Sequence, residues 1–126
     1  MAYVLAVLMA ALSFLLNRAA LKVQGVKAVI TWGPTLEEAV KTVPAYWLGA
    51  DILLTHVVFG AIEAGYDWLT GGRHGVAAAG LSLAGHSLFG LVTVGVLYLT
   101  GSLALALVAG MAAHLAWNVT VIRLTT

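Results

Sequence analysis

Cysteine is absent from this 126-residue chain, and charge is nearly so. Without cysteine there is no disulfide framework, no thiolate metal site and no cysteine nucleophile. Charged residues make up 9% of the sequence, against about 25% in a soluble domain, whose water-facing surface needs them. Six basic and five acidic side chains cannot cover a globule of this length. With 62% hydrophobic residues and a mean hydropathy of +1.02, the composition excludes a soluble monomer and leaves an integral membrane protein. A net charge of +1 offers no clustered basic face, so nucleic acid is excluded as a partner. No Lys or Arg precedes the apolar run Ala2–Leu16, so the positive n-region of a secretory signal is lacking. The run reads as a retained transmembrane helix.

Long apolar runs are what the sequence does have. Val76–Leu99 and Ser102–Ile122 each suffice for a bilayer core of roughly 30 Å, which takes about 20 helical residues. They are separated by a break at Thr100-Gly101. Thr35–Thr70 is mostly apolar but contains Glu37, Glu38, Lys41, Pro44, Asp51, Glu63 and Asp67; its length suits two short helices with a turn at Gly49-Ala50-Asp51. Ala28–Pro34 reads as an interfacial or re-entrant approach, with Trp32 at headgroup level. The expected fold is an all-α polytopic transmembrane bundle, one integral membrane domain over residues 1–126, with spans at about 2–17, 35–49, 51–70, 76–99 and 102–122. The bilayer is its first partner. With the N-terminus outside and the C-terminus inside, Arg18, Lys22, Lys27, Arg73 and Arg123 all fall on one side, as the positive-inside rule requires. The second span is the short one, reaching only about 22 Å. No internal repeat and no low-complexity linker is evident, and small residues such as Gly85, Gly90 and Gly95 fit a closely packed bundle.

An ionisable group in the hydrocarbon costs about 2.5–3.5 kcal/mol, and a chain keeps one there for a partner or a task. Glu37, Glu38, Lys41, His56, Glu63, His86 and His114 all fall within spans. At 1.5 Å per residue, Glu37 and Glu38 lie within about 5 Å of the inner end of their span, Glu63 about 10 Å in, His86 about 15 Å and His114 about 12 Å. Asn118 lies about 6 Å in, on the face of His114. Four helices therefore bring polar groups to one layer. His56 lies nearer the outer side and reads as a packing or interfacial residue. Lys41 is spaced to pair with either Glu37 or Glu38, and the two carboxylates project about 100° apart, so their roles should differ. Phe59, Trp117, Arg73 and His74 read as packing or loop residues. The chemistry such a set allows is hydrolysis. A glutamate in a low-dielectric site can act as general base towards water. Two histidines with a carboxylate suit zinc, and an amide can steady an oxyanion. A proton-conducting bundle would need polar groups continuing outwards, where only His56 and Asp51 stand.

Glu37-Glu38-Ala39-Val40-Lys41 reads as EExxK, Phe59–Glu63 as FxxxE, and His114–Asn118 as HxxxN, with His86 between them. In order and placement these motifs resemble the PrsW family of intramembrane proteases, related to the CPBP group that includes the CAAX prenyl endopeptidases. The resemblance covers about residues 30–122. It implies a membrane-embedded metalloprotease of a prokaryotic cytoplasmic membrane, cutting a membrane-associated protein substrate near the cytoplasmic face. Carried over, Glu37 or Glu38 is the base, Glu63, His86 and His114 bind metal (zinc) or position water, and Asn118 is the oxyanion donor. Ala64 departs from the pattern, which usually has Asn there, and relatives commonly have more spans. These departures fit a catalytically inactive homologue that binds a membrane partner, or a minimal core working as a homo-oligomer.

Overall fold

The computed structural model describes residues 1–25, 27 and 32–126, and every regular element among them is helical. Five helices follow in order: α1 (Ala2–Gln24), α2 (Trp32–Leu48), α3 (Ile52–Thr70), α4 (Gly75–Thr100) and α5 (Leu103–Thr125). A 3-10 turn, Gly72–His74, joins α3 to α4. The all-α expectation holds. Three segments are long and apolar enough to cross a membrane, namely α1, α4 with its preceding turn, and α5. The chain is therefore built as an integral membrane protein. Helices α2 and α3 have 17 and 19 residues, or about 26 and 29 Å, and they carry the acidic groups.

The sharp turns stand where the sequence sets them. Gly49, with φ of 69°, closes α2, and Asp51 then caps α3 by accepting from the Leu54 amide at 2.8 Å. Gly101, with φ of 66°, closes α4, and Ser102 caps α5 through the Leu105 amide at 3.2 Å. Two boundaries differ from the expected ones. Helix α1 continues past Asn17 through Arg18 and Lys22, because charged residues beyond the hydrocarbon need not end a helix. Trp32, Gly33 and Pro34, expected as an approach segment, form the first turn of α2, where the missing proline N–H costs nothing. Residues 28–31 of that segment lie outside the described residues.

The bundle is inside-out relative to a soluble one. Helix α2 packs against α1, α3 and α5. It buries Glu37, Glu38, Lys41, Thr42 and Ala45, and it exposes Trp32, Leu36, Trp47 and Leu48. Lys41, His56, Glu38 and the hydroxyl side chains Thr42, Thr55, Thr93 and Ser13 are among the largest side chains wholly enclosed, alongside Phe59 and Phe89. Lipid solvates the apolar exterior, so the polar groups lose least by facing one another.

One short sequence pattern occurs twice, and its two copies meet in three dimensions. His56-Val-Val-Phe-Gly60 on α3 and His86-Ser-Leu-Phe-Gly90 on α4 share the pattern H-x-x-F-G, which corrects the expectation that the chain holds no repeat. The two antiparallel copies interlock. A Cβ at Gly60 would lie 2.8 Å from the His86 Cβ, and one at Gly90 2.8 Å from the His56 Cβ. Each histidine thus sits in the gap its neighbour's glycine leaves. Gly60→Ala and Gly90→Ala should each destabilise the protein by about 1–3 kcal/mol, because the obstructing atom is a Cβ that only backbone movement can shift. Gly80→Ala and Gly95→Ala meet nothing within 4 Å and should be neutral or stabilising by up to about 1 kcal/mol. Thermal unfolding of the four variants in one detergent compares them directly.

Candidate functional site

Helix α2 delivers Glu37, Glu38 and Lys41 to the interior on successive turns. Lys41 Nζ donates to Glu37 Oε1 at 3.1 Å and to His86 Nδ1 at 3.1 Å, and lies 2.7 Å from Glu38 Oε1. An ammonium has three protons to give, and three acceptors receive them. The same ammonium lies 4.5 Å from the centre of the Phe59 ring, so this residue, expected as packing, also borders the cation.

The partners fix the histidine tautomers. Lys41 can only donate, so His86 Nδ1 accepts and its Nε2–H donates to Glu63 Oε2 at 2.7 Å. His114 Nδ1 donates to Glu38 Oε1 at 2.8 Å, which fixes the orientation of its ring. His56 Nδ1 faces the carbonyl oxygen of Ile52 at 2.9 Å and must donate to it. Its Nε2 lies 2.9 Å from Glu38 Oε2. One proton has to occupy that contact, since two lone pairs would otherwise face each other. With it, both oxygens of Glu38 are satisfied, Oε1 by Lys41 and His114 and Oε2 by His56.

His56 is thus a member of the site and not an outer packing residue. The depth argument failed because α2 opens at Trp32, which sets Glu38 six residues inside its helix, about 9 Å. There it meets His56 coming from the opposite end. The sequence did hold a signal: His56 and Glu63 are seven residues apart, two turns along one face of α3.

A chamber of about 670 Å³ opens beside this cluster. Glu37, Glu63, His86, Phe89, His114 and Asn118 line its inner part, while Leu21, His74 and Thr125 line the part nearest the helix ends that carry Lys22, Arg73 and Arg123. Glu38, Lys41 and His56 are not among its lining residues. The two adjacent glutamates therefore separate. Glu37 faces the chamber; Glu38 stands behind it and holds His114, His56 and Lys41. His74, expected in a solvated loop, is exposed, receives a hydrogen bond from Arg73 Nε at 3.0 Å and borders the chamber. Trp117, also expected as packing, lines the wall over Gly85, where a Cβ would meet its Nε1 at 2.7 Å.

The donor set can be tested against a metal. One ligand atom from each of Glu37, Glu38, His86 and His114 lies within 4.8 Å of the others, and these four could hold a metal ion. Glu63, expected as a ligand, is instead the carboxylate behind His86 Nε2. Lys41 Nζ is within 3.1 Å of three of the four. The cation these donors hold here is an ammonium, and a metal ion would have to displace it. Comparisons with family models, curated proteins and solved structures found no match.

Proposed function

We propose that the protein is a membrane-embedded peptide hydrolase in which Glu37 activates water. The observation that carries this reading is the division between neighbours. One buried glutamate borders a ligand-sized chamber, and the next fixes the lysine and histidines around it. Glu37 takes a proton from water as the water oxygen attacks the carbonyl carbon of a peptide bond. The tetrahedral oxyanion is steadied by the Asn118 amide, which lines the same chamber. The C–N bond then breaks as Glu37 passes its proton to the leaving nitrogen, which returns the carboxylate. His86 and Glu63 hold Lys41 and the wall in place, and His114, oriented by Glu38, lines the chamber beside the water.

The helix ends rich in Lys and Arg face the cytoplasm of a prokaryotic cell in this reading, so the chamber opens on that side and the substrate is a membrane-associated protein. The spacing of the four donors supports a second, metal-assisted form. Zinc suits two imidazoles and two carboxylates, would be held by Glu37, Glu38, His86 and His114, and would supply a bound water that ionises near neutral pH. Purified protein in proteoliposomes, given a library of single-span peptides, tests both forms. Cleavage should place heavy oxygen from labelled water in the new carboxylate and should persist after exhaustive chelation. Loss on chelation, restored by zinc, favours the metal-assisted form. No cleavage of any peptide by the wild type, under conditions that keep it folded, ends the hydrolase reading.

A further inference from the structure

The chamber has a shape and a charge of its own. Its lining on α4 runs from Ala77 to Phe89, twelve helical steps or about 18 Å. An extended chain, at about 3.3 Å per residue, covers the distance with about five residues. A lipid chain fits less well, because Asp67, Ser82 and Asn17 line the wall and would lose hydration against methylenes.

Among the described residues, no Lys or Arg lines the chamber. Of its three acids, Glu37 and Glu63 have Lys41 and His86 as partners. Asp67 is fixed by the Ser82 hydroxyl, which donates to Oδ2 at 2.6 Å, and has no ion pair among the described residues. Arg18, on the neighbouring α1, is engaged by the hydroxyl and ring of Tyr66, and its charge reaches Asp67 without forming an ion pair with it. Asp67 lies one turn beyond Glu63 towards the basic helix ends, about 6 Å or two residues of an extended chain. Membrane proteins carry Lys and Arg next to their spans on one side, which is where such a charge would come from.

We infer that the chamber binds an extended peptide segment of about five residues, apolar near Glu37, where the bond is presented for cleavage, and carrying a lysine or arginine against Asp67, towards the basic helix ends. This rests on the hydrolase reading for the bond, but binding can be measured without it. Dansyl-labelled pentapeptide amides of leucine and alanine, with lysine, norleucine or glutamate at the centre, are titrated against the protein in zwitterionic nanodiscs, with empty nanodiscs subtracted. The lysine peptide should bind about tenfold more tightly than the glutamate peptide. Asp67→Asn should reduce that preference to below about twofold, and Val121→Trp, which fills the wall, should lose all three peptides. Affinity should rise from three to five residues and then level. Equal binding of the lysine and glutamate peptides, or a preference that survives Asp67→Asn, overturns the assignment. The readouts stay separate: preference without cleavage sinks only the hydrolase reading, and cleavage without preference sinks only this one.

Discussion

Glu37→Gln should lower hydrolysis by about 10²–10⁴-fold, the usual contribution of a general base, and cost the bundle less thermal stability than Glu38→Gln does. Glutamine keeps the shape of the side chain and its hydrogen bond from Lys41, and Lys41 keeps Glu38 as its counter-ion. What it removes is the ability to take a proton. Glu38→Gln should behave in the opposite way. Glu38 accepts from Lys41 and His114 on Oε1 and contacts His56 on Oε2, and no amide can satisfy all three, because half of it is a donor. Breaking a buried ion pair by neutralising one partner costs about 3–5 kcal/mol, so this variant should lose stability first and activity as a consequence. Turnover per folded molecule and unfolding temperature, measured on both variants, separate the roles. An inactive but stable Glu38→Gln beside an active Glu37→Gln would exchange them.

The fold is legible because lipid imposes simple rules. Apolar length alone marks α1, α4 and α5, and Gly49-Ala50-Asp51 and Thr100-Gly101 mark the turns that follow α2 and α4. Much of the cluster is legible for the same reason: Glu37, Glu38, Glu63, His86 and His114 stand out as ionisable groups in apolar runs, and the structure links them through Lys41 and Glu38. What stays hidden depends on where helices start and how they cross. The start of α2 at Trp32 sets the depth of Glu38, and only that depth brings His56 to it. The paired H-x-x-F-G motifs carry meaning only once α3 and α4 lie antiparallel and each histidine fills the other's glycine gap. Single-chain periodicity says nothing about such an exchange between helices. Nor can spacing tell which of two adjacent glutamates faces a chamber whose walls come from all five helices.

Removing the ammonium should turn a site that carries its own cation into one that needs a foreign one. Lys41→Met fills a similar volume with apolar atoms but leaves Glu37 and Glu38 buried without their counter-ion, at a cost of about 3–5 kcal/mol. The remaining donors, two imidazoles and two carboxylates within 4.8 Å, should then accept zinc. At a hundredfold excess over its dissociation constant, zinc should return about 2.7 kcal/mol of that stability. The wild type at the same zinc concentration should show no shift, because its ammonium already occupies the position between Glu37, Glu38 and His86. Unfolding curves of both proteins with and without zinc, together with metal content after gel filtration, decide the matter. Stoichiometric zinc in the wild type would mean that Lys41 leaves the cluster when metal arrives, and hydrolysis that then fails on chelation would assign the water to the metal. A zinc-responsive Lys41→Met beside an indifferent wild type would show why EExxK places its lysine one turn from both carboxylates: the lysine does electrostatically what a metal ion would otherwise do.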